Sequence, residues 1–378
     1  MRFVHAADLQ LGMTRHFLDA DAQPRFTAAR TEALARALAV AREAGAEFVV
    51  VCGDVLESNA VGPRVLGRAL QVMAEGGVPV FLLPGNHDPL DAASPLTSAA
   101  VRDAANVHVL DRAGVHEVRP GVEIVAAPWT SKHPEGDLVA GALAAAGDPA
   151  PGTVRIVVGH GAVDELSPDR EDPARIALAP LEAAIAAGTL HYVALGDRHS
   201  TTQVGTSGAV WYSGTPEVTD RRETAPGNVL VVEVSDGVPP KVEEVRVGTW
   251  SFPLLAADLE DRADVESLLA RLARLPRPDR TVVTLQLTGS LSLGDNAFLE
   301  DELDRAGHLL AGLRVWDRHS DLVVRPEPGE VADLGIGGFA DPAIAELGAL
   351  AGGEGPRARA ARDALSLLFR LAGGGRPA

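Results

Sequence analysis

Nine polar residues stand out because each closely follows a short apolar run: Asp8 and Gln10, Asp54, Asn86 with His87 and Asp88, His160, and Asp197 with His199. They offer carboxylate and amide oxygens and imidazole nitrogens, with no thiolate among them. Such a donor mix suits Mn²⁺, Fe²⁺ or Zn²⁺ better than a structural cysteine–zinc site. A carboxylate such as Asp54 has two oxygens and can bridge two ions. Two divalent ions about 3.5–4 Å apart clamp a phosphoryl group and lower the pKa of a bound water, which then attacks phosphorus in line. The chemistry indicated is hydrolysis of a phosphate ester.

The elements that must carry these groups show in the hydrophobic pattern. The run Phe3–Ala6 ends at Asp8, and Phe48–Val51 leads into Gly53 and Asp54. Val78–Leu83 leads into Pro84, Gly85, Asn86, His87 and Asp88. Val122–Ala126, Val154–Val158 and His191–Leu195 repeat the pattern, the last two running into Gly159–His160 and Gly196–Asp197. Short apolar runs bounded by glycine read as buried strands. Between them, Thr27–Ala44 and Arg64–Glu75 have helical periodicity, the first closed by Gly45. Alternating strands and helices predict an α/β sheet, whose loops beyond rigid strand ends carry the chemistry. Glycine lets the backbone turn sharply there, so the next side chain projects into a cleft.

The pattern changes near residue 248. Val229–Val234 and Val242–Val247 alternate as strands. Then Asp264–Leu275 reads as helix, Thr281–Thr288 as strand and Phe298–Leu313 as helix, with no ligand-like motif among them. A Pro/Gly-rich link, Arg325–Gly329, precedes a tail in which Arg357–Leu371 is an amphipathic helix and the final GGGRPA is disordered. The expected domains are therefore 1–247, 248–328 and 329–378.

Composition bounds the function. Thirty-four basic against 52 acidic residues leave a net charge of −18, which argues against coating nucleic acid by bulk electrostatics. It does not exclude a nuclease, because bound metal ions carry the local positive charge. No run of about 18 apolar residues suggests a membrane span. His5 and Asp8 break the apolar core that a signal peptide would need. The single cysteine, Cys52, precludes an intrachain disulfide and suits a reducing compartment. A cytoplasmic location is expected.

In order along the chain, Asp8-x-Gln10, Gly53-Asp54, Gly85-Asn86-His87-Asp88, Gly159-His160 and Gly196-Asp197-Arg198-His199 resemble the calcineurin-like metallophosphoesterases. Their pattern is D-x-H, G-D, G-N-H-D/E, G-H and G-H-x-H. The segments HAADLQLG, GDVLES and YSGTPE look like SbcD-type DNA exonucleases, and the YhaO-like exonucleases are an equally close comparison. The resemblance covers residues 1–240 by motif and the rest by layout. It implies a four-layer sandwich of two mixed sheets flanked by helices, followed by a small α+β capping domain that contacts duplex and by the helical tail.

The resemblance also implies roles. One metal takes Asp8, Gln10, Asp54 and His199; the other takes Asp54, Asn86, His160 and Asp197. His87 stabilises the transition state or protonates the leaving oxygen, and Asp88 orients His87. Two positions depart from the family, which has His where Gln10 and Asp197 stand. Asp197 is a harder ligand than imidazole and tilts its site toward Mn²⁺ or Mg²⁺. Gln10 is a neutral, weaker donor that alters metal preference or lowers affinity. Arg198, Trp129 and Lys132 are candidates for substrate contact, with Trp129 equally readable as a hydrophobic lid. His5 reads either as a support for the ligands or as a satisfied core histidine.

The expected reaction is metal-dependent hydrolysis of DNA phosphodiesters with two divalent ions, Mn²⁺ first among them. The implied partners are DNA and an SbcC-like coiled-coil ATPase docked by the C-terminal helix, in a homodimer. The alternatives are a small-molecule or cyclic-nucleotide phosphodiesterase, or a non-catalytic scaffold whose metal site Gln10 has weakened.

Overall fold

The strand Val49–Cys52 is buried at every position, which places it mid-sheet with a layer on either side. Val49 and Val51 pack against helices, whereas Val50 and Cys52 face a second sheet. The computed structural model describes residues 1–167, 171–235, 237–324 and 340–371. They form two units: Met1–His16 with Gln23–Trp250, and Phe17–Ala22 with the described residues from Ser251 on.

The first unit runs β1 (Arg2–Ala6), α1 (Ala22–Glu43), β2 (Val49–Cys52), α2 (Pro63–Gly76), β3 (Val80–Leu83), α3 (Ala99–Arg102) and β4 (Val107–Val109). It continues through β5 (Gly114–Arg119), β6 (Val122–Ala126), α4 (Leu138–Ala146), β7 (Val154–His160), α5 (Leu178–Ala186) and β8 (Tyr192–Gly196). The strands β9 (Thr202–Val204), β10 (Val210–Tyr212), β11 (Asn228–Ser235) and β12 (Val238–Arg246) complete it. Two six-stranded sheets result, ordered β12-β11-β1-β2-β3-β4 and β5-β6-β7-β8-β10-β9. Both are mixed: β1 to β4 run parallel while β11 and β12 pair antiparallel, and β6, β7, β8 and β10 run parallel between antiparallel edges.

The sheets share an apolar layer built from Phe3, Phe48, Phe81, Ile156 and Tyr192. Leu34 and Leu38 of α1 with Leu66 and Met73 of α2 cover the outer face of the first sheet. Val139 of α4 and Leu181 of α5 cover the second. This is the expected four-layer sandwich of two mixed sheets flanked by helices.

The second unit contains β13 (Leu254–Leu259), α6 (Arg262–Ala273), β14 (Val282–Leu291), α7 (Leu293–Gly307), β15 (Gly312–Val315), β16 (Asp321–Val324), α8 (Ala340–Ala351) and α9 (Pro356–Leu371). Its sheet is parallel throughout. The long β14 pairs β13 on one side, and β15 then β16 along the other. The division from the first unit falls after Trp250 rather than after residue 247, and the insert Phe17–Ala22 joins the second unit. α9 does not stand apart: Ala361 and Leu365 share a buried cluster with Leu293 and Ala297 of α7 and Ile344 of α8.

Two helices begin earlier than their periodicity predicts. α1 starts at Ala22 because Asp19 accepts from the amides of Asp21 and Ala22. α7 starts at Leu293 because Ser292 accepts from the Asp295 amide. It also ends at Gly307, and residues up to Leu313, predicted as helix, enter the sheet instead. The link Arg325–Gly329 and the final six residues lie outside the described residues. Among the described residues no helix is long and apolar enough to cross a membrane.

Candidate metal centre

β1, β2 and β3 are parallel neighbours in one sheet, and β7 and β8 are parallel neighbours in the other. Their C-terminal ends deliver Asp8 and Gln10, Asp54, Asn86 and His87, His160, and Asp197 with His199. The loops are laced together by the backbone. The Asp8 amide donates to Gly53 O at 3.1 Å, and the Gln10 amide to Asp54 O at 2.8 Å. Among the described residues only five non-glycines have positive φ, and four belong to this cluster: Asp8 (53°), Gln10 (44°), Asp54 (51°) and Asp197 (94°). Strained backbone concentrated in this way is a mark of a functional site.

Ligand atoms of Asp8, Asp54 and His160 all lie within 4.8 Å of one another, and all three residues are buried. His160 Nε2 faces oxygens only: Asn86 Oδ1 at 2.8 Å, Asp54 Oδ1 at 3.4 Å and Asp197 Oδ1 at 3.8 Å. Its other nitrogen, Nδ1, donates to Cys52 O at 2.9 Å, and the Trp129 indole donates to His160 O at 2.7 Å. Ring and backbone are thus both held. Glycine makes room for them. A Cβ on Gly53 (φ 85°) would lie 2.0 Å from His160 Nδ1, and one on Gly85 would lie 2.2 Å from Asp54 Oδ1.

The electrostatics show a surplus of negative charge. Burial pushes the Asp8 carboxyl up to about 7; His199 and His160 oppose this, while Asp54 and Asp197 reinforce it. For His160, burial acts downward, but Asp54, Asp8, Asp197 and the Cys52 carbonyl outweigh it and raise the ring to about 9. Positive charge therefore belongs at Nε2. A reversed Asn86 amide would donate to a neutral imidazole and to Asp54. The raised basicity of His160 favours the oxygen instead, because the protonated ring is a donor at neutral pH.

His199 is held differently. Its Nδ1 donates to Glu223 Oε1 at 2.8 Å and lies 2.9 Å from Thr219 Oγ1. Thr219 is itself bonded to Glu223 through hydroxyl and amide. Burial lowers the basicity of His199, but Glu223 and Asp8 turn the net shift upward. His199 Nε2 meets Gln10 Nε2 at 3.2 Å. Gln10 Oε1 is buried with no hydrogen-bond partner.

His87 points its Nε2 toward Asp54 Oδ2 at 4.0 Å, and its side chain is 42% exposed. Its Nδ1 donates to Glu57 O at 3.0 Å, so Asp88 does not orient His87. Asp88 instead accepts from the amides of Gly85 at 2.8 Å and Leu56 at 2.9 Å, joining the two loops that carry Asn86 and Asp54. The reason is burial: Asp88 is fully enclosed, and a buried carboxylate takes the nearest amides. Trp129 is 8% exposed, with its N–H engaged on His160, so it walls the site rather than reaching out of it. Arg198 is exposed and donates to Thr202 Oγ1 at 2.9 Å, and Lys132 is exposed. His5 is a satisfied core histidine, bonded to Tyr192 OH and Leu195 O at 3.1 Å each.

Several supports escaped sequence reasoning. Glu223 and Thr219, which hold His199, sit in a turn that read as an ordinary solvated one. Arg30 lies in the middle of α1, 1% exposed, and donates to the carbonyls of Leu9, Glu217 and Val218. Its signal was a charge on the apolar side of an amphipathic helix. Thr215 of YSGTPE donates to Asp8 O at 2.9 Å.

Carboxylates, imidazoles and an amide oxygen converging on a buried, negatively charged point fit divalent cations. Comparison with known proteins agrees. The family model described as calcineurin-like phosphoesterase matches residues 1–200. The DNA double-strand break repair protein Mre11 of Archaeoglobus fulgidus is 30% identical over 125 residues, 31% of this chain and 24% of that protein. The match thus spans about a quarter of the relative's length. Among solved structures, the TT1561 protein of Thermus thermophilus covers 65% of this chain and 98% of its own, at 12% identity and a TM-score of 0.39. A dimetal phosphatase from Danio rerio covers 64% and 98%, at 13% identity and a TM-score of 0.38.

Proposed function

Because the chain belongs to the calcineurin-like phosphoesterases, a family of metal-dependent hydrolases, we propose that it is a DNA nuclease of the SbcD or YhaO-like kind that hydrolyses phosphodiester bonds. The observation that carries hydrolysis is the convergence of Asp54, Asn86 and Asp197 oxygens on His160 Nε2. The DNA substrate is supported by the 30% identity to an archaeal double-strand break repair protein and by the α+β unit appended to the sandwich.

Divalent ions, Mn²⁺ first, supply Lewis acidity and a water made acidic enough to attack at neutral pH. Asp8, Gln10, Asp54 and His199 would hold one; Asp54, Asn86, His160 and Asp197 the other. The chain's own residues do the rest. Cys52 O and Trp129 fix His160 so that its Nε2 points at the carboxylates. Glu57 O takes the Nδ1 proton of His87, which leaves Nε2 as the end beside Asp54. There it gives a proton to the departing oxygen, a contribution of about 10²–10⁴ in rate. An SbcC-like coiled-coil ATPase and a homodimer complete this reading. The buried side of α9 is engaged on α7, so the ATPase would dock on its other side, where Leu367 is exposed.

The test is Mn²⁺-dependent digestion of end-labelled linear duplex, beside a generic diester and a His87→Ala control. Duplex degradation that disappears in the control establishes the nuclease. Cleavage of the generic diester alone moves the assignment to a small-molecule phosphodiesterase, which the net charge of −18 favours. Cleavage of neither, with no metal bound, leaves a scaffold.

A further inference from the structure

The two imidazoles that face the centre are not equivalent. His160 Nε2 is surrounded by oxygens, two of them carboxylate, at 2.8, 3.4 and 3.8 Å. His199 Nε2 is capped by a nitrogen, the amide of Gln10 at 3.2 Å. Because His199 Nδ1 donates to Glu223, the neutral ring offers a lone pair at Nε2, and the Gln10 NH₂ donates to it. That is a complete hydrogen bond needing no cation. It leaves the other end of the amide, Oε1, buried and without a partner, and Gln10 is only 2% exposed.

A buried orphan oxygen is costly, and it is the one atom of Gln10 able to ligate a cation. To use it beside His199 the amide must turn over, giving up its bond to Nε2. The charges run the same way. Asp197 adds an anion beside His160, whereas Gln10 brings a neutral dipole beside His199.

We propose that Gln10 makes the two cation positions unequal. The position bounded by Asp54, Asn86, His160 and Asp197 fills first. The position bounded by Asp8, Gln10, Asp54 and His199 fills only when the Gln10 amide releases His199, and binds about tenfold more weakly or worse. Gln10 thereby sets the divalent-ion concentration at which the second ion enters. This rests on the phosphoesterase reading of the site, and the experiment separates the two.

Mn²⁺ is titrated calorimetrically into metal-free, full-length chain, with electron paramagnetic resonance at each addition. The wild type gives one tight and one weak step, and the isolated-ion signal at one equivalent gives way to a spin-coupled pair only at excess metal. Gln10→His, which supplies an imidazole instead of the capping amide, tightens the second step about tenfold or more and brings the coupled signal to lower metal. Gln10→Ala, which removes the only amide oxygen available there, retains the tight step and weakens the other further. Circular dichroism confirms that each variant is folded. Two equal steps in the wild type, or an unchanged step ratio in folded Gln10→His, overturn the inference while leaving the phosphoesterase intact. No Mn²⁺ binding by either chain overturns both.

Discussion

The indole N–H of Trp129 donates to the carbonyl oxygen of His160 at 2.7 Å, across a T-shaped ring contact. The bond fixes the last residue of β7, and with it the direction of Nε2. Replacing Trp129 with Phe keeps most of the ring and deletes the donor. Stability should fall by about 1–2 kcal/mol, and affinity for the first Mn²⁺ about tenfold. Urea melts with and without metal check both, and unchanged affinity would reduce Trp129 to a packing residue.

Gly53 and Gly45 both have positive φ, 85° and 63°, but only Gly53 has a neighbour in the way. Gly45→Ala should cost about 1 kcal/mol of strain and leave metal content alone. Gly53→Ala must in addition displace the His160 ring, and should lose the metal. Metal analysis of the two purified variants decides the matter.

His87→Ala should lower turnover by about 10²–10⁴ with both Mn²⁺ steps retained, because its Nδ1 rests on Glu57 O and its Nε2 is 4.0 Å from the nearest Asp54 oxygen. Loss of metal together with activity would make His87 a ligand instead.

Burial lowers the His5 ring from 6.5 to about 3, against the pull of the Leu195 carbonyl. Between these values the unfolded chain takes up a proton that the folded ring refuses. The stability held by the neutral ring is therefore full above pH 6.5 and declines as pH falls, by about 2 kcal/mol at pH 5. His5→Gln removes this dependence. In EDTA-containing urea melts the gap between wild type and variant should narrow from pH 7.5 to pH 5; a constant gap would show that His5 does not titrate on unfolding.

Much of the centre was legible because its residues are local in sequence. A strand's end and the glycine after it are adjacent, so Asp54, His160 and Asp197 announce themselves. What holds them is not local. The Cys52 carbonyl that fixes His160 is backbone, which no residue type encodes. Glu223 reaches His199 from 24 residues away, and nothing in TDRRET marks it. Asp88 misled for the opposite reason: adjacency to His87 suggested a partner, but a carboxylate enclosed by two loops takes their amides. In the second unit, periodicity showed the helices and β14, while the short β15 and β16 become strands only because β14 is there to pair with.

Four ligand-bearing residues hold positive φ, and each such backbone costs on the order of 1 kcal/mol or more. Glycine would relax any of them, and at Asp8 and Asp54 it would also free a carboxylate from burial. The metal-free chain therefore becomes more thermostable as its ligands are lost. Laboratory evolution that rewards heat resistance alone would erase this centre first. Only a screen that keeps divalent cation present, and asks for turnover, would preserve it.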